Sequence, residues 1–583
     1  MDLSFTNKTW NFIESDENSI SEISNELKIS EIAARILVNR GIKTSEEASK
    51  FINSKLNNTI PEPLLVLDMD KGIKRVLEAI NTKQQITILG DYDVDGITST
   101  CLMIKYFKYI GVPVKFYIPN RFCDGYGISE SSIEVVVQNK TELLITVDSG
   151  INSIEEIEKL NNLGIDTIVI DHHTQTTPDL PNAIAVINPN RIDQKEIGHS
   201  YIKNLSAAGV AFLFLIALQR ELRNLGFFKN LKEPNLIELT DIVSLGALCD
   251  VMELKGINRA LLKCTLNKNQ YSKGILSLMN LFNIQKINSP EDLSFFIGPA
   301  INSAGRVGDP HIALHLLLEE SEERSQKLAN KLYELNKERK SIETKVFAEA
   351  INIINEHNLS TNPGICVFDN NWSQGVIGII AGKIKDKFQK PAFVITFDQN
   401  GQGKGSARSL KGIHLGNFLE KAKSNNLITK GGGHELAGGF SIEKEKISNF
   451  ISFINSEIAE NFHNSINIDY CISPFSSLDD IAISLRPIEP FGKGMEKPIF
   501  CLKRVKIKYS KPTSSGNHIM FNFSNEFDKG NIKSILFNIK SKSEIIKQIE
   551  DNKFELFDIV GAISYNEQFG SSLVIDDLRL SIL

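Results

Sequence analysis

From Lys71 onward, short apolar runs alternate with stretches whose apolar residues recur at helical spacing. The runs ITIL (Ile86–Leu89), VKFYI (Val114–Ile118), LLITV (Leu143–Val147), TIVI (Thr167–Ile170) and IAVI (Ile184–Ile187) are short and rich in β-branched residues. Runs of that length and composition read as buried strands. Helical patterns over Ile97–Ile110 and Ile154–Leu163 separate several of them. This alternation predicts an α/β fold with a parallel, doubly wound sheet, and such sheets bind ligands at the carboxyl ends of their strands. The longest apolar run, Ala207–Leu218, is too short to span a membrane and reads as a buried helix.

Outside this region the pattern changes. Residues Ser19–Ser54 read as helices and carry NRGIKTSEEASKF, a helix–turn–helix-like cap. Pro310–His357 reads as long, charged helix with a candidate cap at Glu320–Ser321. Both charge signs lie between its apolar positions, which favours a connecting helix over a partner-binding coiled coil. A glycine-rich strand–helix unit runs from Ile365 to about Phe462. The remainder, Ile466–Leu583, consists of short strands between Gly, Asn and Ser turns and predicts a small β-barrel. The expected division is therefore 1–310, including a helical cap over about 1–65, a connecting helix over 311–360, a second α/β domain over 361–462 and a β-domain over 463–583.

Composition narrows the class. Of 583 residues, 42% are hydrophobic and 23% charged, which excludes wholesale disorder. With 65 basic against 71 acidic residues the formal charge is −6, which argues against a protein that coats nucleic acid with its whole surface. The seven cysteines are scattered without a CxxC pair, as expected of reduced thiols. The N-terminal sequence lacks the basic flank and apolar centre of a signal peptide, so the expectation is a soluble cytoplasmic protein.

Acidic residues gather at the predicted strand ends. ITIL runs into Gly90-Asp91-Tyr92-Asp93-Val94-Asp95-Gly96, LLITV into Asp148-Ser149-Gly150, and TIVI into Asp171-His172-His173; the segment DIVSLGALC delivers Asp250. Any one of these alone reads as a turn or a helix cap. Together they repel one another unless cations neutralise them. Oxygen ligands with one or two imidazoles suit Mg²⁺ or Mn²⁺ better than zinc. Two such ions roughly 3.5–4 Å apart would activate water for attack at phosphorus.

DYDVDG, VDSG, DHH and Asp250 resemble the four motifs of the DHH phosphoesterase superfamily. RGIKTSEEASKF, GPAINSAGR (Gly298–Arg306), SAR (Ser406–Arg408) and GGGHELAGGF (Gly431–Phe440) extend the resemblance, in order, to its single-stranded-DNA exonucleases. The resemblance implies that Asp93, Asp95, Asp148, His172 and Asp250 hold two Mn²⁺ or Mg²⁺ ions, with Asp148 between them. It implies too that Asp93, Asp148 and His173 are catalytic, His173 lying beside the scissile phosphate as donor or general acid. Asp91 and Asp171 become supporting groups on the same basis. Many superfamily members open the first motif with a histidine ligand, where this chain has Gly90-Asp91-Tyr92.

The resemblance also places GGGHELAGGF in a DHH-associated substrate-binding domain, its glycines and His434 facing an anionic backbone. Ser406, Arg408 and Arg121 are expected at a 5′-terminal phosphate, Arg306 at a backbone phosphate and Asn302 near the site. The β-domain becomes an OB-fold in which Lys503, Arg504, Lys506, Lys508, Tyr509, Lys511, Phe521 and Phe523 alternate. They read either as a base-stacking, phosphate-tracking surface or as a basic edge over a Phe-rich core. The implied activity is two-metal, 5′→3′ hydrolysis of single-stranded DNA to 5′-mononucleotides in DNA repair and recombination. A monomer working with single-strand-binding protein and a helicase is implied too. The alternatives are a phosphodiesterase for cyclic dinucleotides or very short oligonucleotides, and a silent DNA-binding replication partner.

Overall fold

The computed structural model describes residues 4–6, 8–125, 127–195, 201–458, 465–514, 516–539, 543–566 and 570–581. Near the N-terminus a short strand, β1 (Thr9–Phe12), precedes helices Glu17–Leu27, Glu31–Asn39 and Ser45–Ile52. Each helix opens on a side-chain cap, from Asp16, Ser30 and Thr44 in turn.

The first domain is built on β2 (Ile86–Leu89), β3 (Val114–Tyr117), β4 (Leu143–Val147), β5 (Asp166–Ile170) and β6 (Ala185–Ile187). They form a wholly parallel sheet in the order β3-β2-β4-β5-β6. Its central strands are apolar on both faces because both are covered. Leu143, Ile145 and Val147 face one cluster of helices while Leu144 faces the other. The chain leaves β2 for β3 and returns on the opposite side of β2 as β4. This reversal sets the loops leaving β2 and β4 side by side, where open α/β sheets hold ligands. The long connector is broken as expected: His311–Leu318 ends at Glu319, and Glu322–Glu356 begins after Ser321.

Five strands make the sheet of the second domain: β7 (Ile365–Asp369), β8 (Ala392–Phe397), β9 (Gln402–Arg408), β10 (Lys430–Gly433) and β11 (Ala437–Glu443). Their order is β10-β11-β9-β8-β7. The glycines of GGGHELAGGF are the β10–β11 hairpin rather than an open loop, with His434 at its turn. The boundary expected at 462–463 lies outside the described residues.

The last domain holds β12 (Ser465–Ile468), β13 (Tyr470–Ile472), β14 (Ile499–Pro512), β15 (Ile519–Asn525), β16 (Ile532–Leu536), β17 (Phe557–Asn566) and β18 (Gly570–Leu580). Pairings run β14-β15-β16-β18-β17 and return to β14. Counting these five strands from one to five gives the order 1-2-3-5-4-1, with helix Ser543–Asp551 between the third and fourth, the connectivity of an OB-fold. Phe521 and Phe523 are buried here, stacked on one another 5.6 Å apart, among Phe500 and Phe557. They are core, and no base can reach them. Period-2 alternation put both on one face but did not say which.

The N-terminal helices differ from expectation in their partner. Ile20, Ile23, Ala33 and Leu37 share one apolar core with Ile472, Leu485, Phe500 and Phe557 of the last domain. β1 pairs in parallel with β12, and Arg40 holds Asp469 through two nitrogens at 2.7 and 3.0 Å. The segment thus completes the C-terminal domain, touching the first domain through Phe51 and Ile52. Their carbonyls accept from Arg259 and Lys263. No helix among the described residues is long and apolar enough to cross a membrane; Ala207–Asn224 is buried in the first domain.

Candidate metal centre and anion pocket

Asp93 starts the site. Its carboxylate accepts from Gly96 N at 3.0 Å and caps helix Val94–Tyr109, which therefore begins three residues earlier than the periodicity suggested. That places Asp95 in the first helical turn. The Asp95 carboxylate in turn accepts from Ala207 N (2.6 Å) and Ala208 N (3.1 Å), fixing it against the start of helix Ala207–Asn224. Asp148 leaves β4 with φ +64°, a left-handed backbone that a non-glycine residue adopts at some energetic cost. Asp250 ends helix Thr240–Cys249. Gly246 allows that helix to approach: a Cβ there would lie 2.5 Å from Thr98 Oγ1 and 2.6 Å from Asp95 Oδ1.

These elements converge on His172. Its Nε2 lies 3.3 Å from Asp148, 3.5 Å from Asp250 and 3.8 Å from Asp95. Ligand atoms of Asp95, His172 and Asp250 lie within 4.8 Å of one another; so do those of Asp91, Asp93 and Asp148, and those of Asp148, His172 and His173. Asp148 belongs to two of these groups. Asp91, read from sequence as a supporting group, therefore stands among the candidate ligands, and its buried Oδ1 accepts no hydrogen bond from the described residues; nor does Asp250 Oδ2. Burial first, then neighbouring carboxylates, raises Asp91 and Asp250 to about 8 and Asp95 to about 7. Burial and the same neighbours raise Asp148 strongly. Carboxylates so crowded are stable as anions beside a cation, and the donor set of oxygens with one imidazole fits Mn²⁺ or Mg²⁺.

Asp171 is arranged differently. It accepts from the backbones of Ile151, His172 and His173 and from His173 Nδ1 at 2.8 Å. These partners overcome its burial and hold it below the ordinary carboxylate range. Burial would lower His173, but Asp171 outweighs it and raises the imidazole to about 9. Burial, followed by the charge of His173, lowers His172 to about 4, so it stays neutral and able to ligate.

Beside the carboxylates lies an arginine cluster. Arg121 stacks over Tyr92 at 4.1 Å and donates to the Gly305 carbonyl. Arg306 donates to the Gly375 carbonyl at 2.8 Å, and a Cβ on Gly375 would overlap the Arg306 backbone, so the two domains touch here. Burial, then the charges of Arg121, Arg339 and Arg408, lowers Arg306 to about 9. Arg408 donates to Ser406 Oγ at 3.2 Å, and both lie under Gly378 in the first turn of helix Ile377–Phe388. Among the described residues, no carboxylate forms a salt bridge with Arg121, Arg306 or Arg408. Asn302, one helical turn before Arg306, keeps a buried Oδ1 without a hydrogen bond among the described residues.

The cluster contains one member that sequence did not single out. Asn336, Arg339 and Glu343 are buried on the connecting helix, where Arg339 pairs with Glu343 at 2.7 Å and Glu343 with Lys383 of the second domain at 2.5 Å. Polar residues at i, i+3 and i+7 on an otherwise apolar stripe were the available signal.

Comparison with known proteins places this geometry. Residues 85–246 match the model of the DHH family, N-terminal domain; 361–460 match the DHHA1 domain and 468–574 the RecJ OB domain. The chain is 33% identical to the single-stranded-DNA-specific exonuclease RecJ of Haemophilus influenzae, over 82% of this chain and 84% of that one. It is 34% identical to the Escherichia coli protein of that name, over 80% and 82%. The crystal structure of Thermus thermophilus RecJ in complex with Mn²⁺ shares the fold, with a TM-score of 0.80 at 24% identity, across 99% of this chain and 80% of that one. A manganese-bound exonuclease RecJ aligns with a TM-score of 0.56 at 28% identity, over 69% of this chain and 96% of that one. With its three domain models matched in order and identity above 30% across four fifths of its length, this chain belongs to the RecJ family.

Proposed function

We propose that the protein is a metal-dependent exonuclease that hydrolyses single-stranded DNA 5′→3′ to 5′-mononucleotides, in DNA repair and recombination. The observation that carries this reading is a cluster in which Arg121, Arg306 and Arg408 have no carboxylate salt bridge among the described residues, beside a carboxylate–histidine centre. A pocket for a terminal phosphate beside the hydrolytic centre turns a phosphodiesterase into an end-directed enzyme. Asp93, Asp95, Asp148, His172 and Asp250 would hold two Mn²⁺ or Mg²⁺ ions, with Asp148 common to two of the ligand groups and Asp91 joining the set. Such ions supply Lewis-acid activation of water and neutralise charge building on the phosphate.

The chain's own residues do the rest. Ser406, Arg408 and Arg121 take the 5′-phosphate, Arg being suited to bidentate contact with it. Arg306, Asn302 and His434 hold the backbone beyond. His173, oriented by Asp171, donates toward the scissile phosphate and its leaving O3′. The released nucleotide keeps a 3′-hydroxyl, and the shortened strand gains a 5′-phosphate that fits the same arginine pocket. Each product is therefore the next substrate. The OB domain takes the single strand, and we assign the N-terminal helices to that domain in a four-part division of the chain. A cytoplasmic monomer working with a helicase and single-strand-binding protein completes the reading.

Single strands labelled at the 5′ or the 3′ end test it. The 5′ label should appear at once as mononucleotide, the 3′ label only as the strand is consumed. Simultaneous release of both labels, or attack confined to dinucleotides, would reject it.

A further inference from the structure

The segment Glu489–Glu496 leads from the last domain's small helices into β14 and lies against the first domain just behind Asp250. Three carbonyls, of Ile488, Glu489 and Pro490, accept from the buried Arg259 guanidinium. At the tip, the Lys493 carbonyl accepts from Leu254 N at 2.8 Å, four residues after Asp250. A Cβ on Gly494 would stand 3.2 Å from the Glu253 side chain, so the turn is seated closely. Lys497 anchors the far end to Glu291 at 2.6 Å. The turn is held at four places, so the position of its tip is set.

Lys493 itself is exposed and, among the described residues, has no salt bridge. Its neighbours Glu496 and Lys497 are both engaged, with Arg40 and Glu291. Through its carbonyl on Leu254 N, Lys493 is fixed at the junction of the first and last domains, beside the chain that leaves Asp250.

Resting on the exonuclease reading, we infer that Lys493 is a DNA-contact residue that binds a backbone phosphate of the strand between the metal centre and the OB domain. A lysine at such a point offers a compact charge for a phosphate and no sequence preference. It sits on a turn of the OB domain yet works at the mouth of the first domain, so it fixes the strand's path from one to the other.

Lys493→Ala and Lys493→Arg, compared with the intact protein, test this. For a single strand of about 20 nucleotides, the Ala variant should raise KM about five- to tenfold with kcat changed less than about twofold. It should also flatten the salt dependence of binding by about one released counterion. The Arg variant should restore both. On a 5′-phosphorylated dinucleotide, which lacks the downstream phosphates, the Ala variant should match the wild type. Equal losses on both substrates, or an unchanged KM and salt slope, would overturn the assignment. If the wild type fails to degrade single strands at all, the exonuclease reading has failed instead. Binding of the same strand to Asp148→Ala and to Asp148→Ala/Lys493→Ala still decides the role of Lys493: equal affinities overturn it.

Discussion

Individual side chains in the centre carry distinct duties. His173 has one ring nitrogen committed to Asp171, at 2.8 Å, which fixes the orientation of the ring. Asp171→Asn keeps the shape but weakens that hold. We expect kcat to fall about 10–100-fold while Mn²⁺ affinity, measured calorimetrically, changes only a few-fold. Unchanged turnover would remove Asp171 from the machinery. Asp93→Ala and Asp148→Ala should abolish cleavage in a gel assay while single-strand binding persists. Hydrolysis at the normal rate in either would refute the ligand assignment. These residues were legible in sequence because each lies in a loop that leaves an apolar strand, and the apolar run announces where that strand ends. Asp91 was under-read: spacing shows that three carboxylates share a loop, but not which of them turns inward. Lys493 was invisible, since nothing in a run of residues says that a turn from a distant domain is fastened behind Asp250.

Elements bring these groups together by close approach. Helix Thr240–Cys249 reaches Asp95 only because Gly246 lacks a side chain, and Asp95 cannot retreat while it is bonded to Ala207 N and Ala208 N. Gly246→Ala should therefore move Asp250 off the centre, weakening Mn²⁺ binding at least tenfold and destabilising by about 1–3 kcal/mol. Gly382, around which a Cβ would meet nothing within 4 Å, is the control; its Ala variant should be neutral or gain up to about 1 kcal/mol. Chemical denaturation compares the two, and equal stability of both variants would contradict the packing argument. At this scale the parallel sheet was readable throughout, since strands buried on both faces print unbroken apolar runs. The OB strands expose one face and alternate, which is why Phe521 and Phe523 admitted two readings.

Across the whole molecule, Arg259 is the fastening between bodies. Wholly buried, it donates to Phe51 and to the Ile488–Pro490 carbonyls while its guanidinium lies 3.8 Å from the Phe51 ring. Burial lowers it to about 9. Arg259→Ala strands several buried carbonyls and should destabilise by about 2–4 kcal/mol, seen as a fall in Tm. Removal of residues from Ile466 onward offers a second check. It takes away the other half of the core of Ile20, Ile23, Ala33 and Leu37, so the truncated chain should aggregate. Removing residues 1–52 as well should restore solubility; a soluble single truncation would count against the shared core. Sequence showed that those helices have an apolar face, yet no local pattern can name a partner more than 400 residues away.

That shared core sets a schedule for synthesis. A ribosome adding about 5–20 residues per second needs on the order of half a minute to a minute and a half to pass from Leu37 to Leu502. For all that time the helices made first wait with their apolar faces uncovered, while the catalytic domain folds between them and their partner. Folding thus joins an early-made segment to a late-made one. A chain stalled or cut short before the OB domain emerges carries an exposed apolar N-terminus, a mark by which chaperones and proteases can tell it from a complete one.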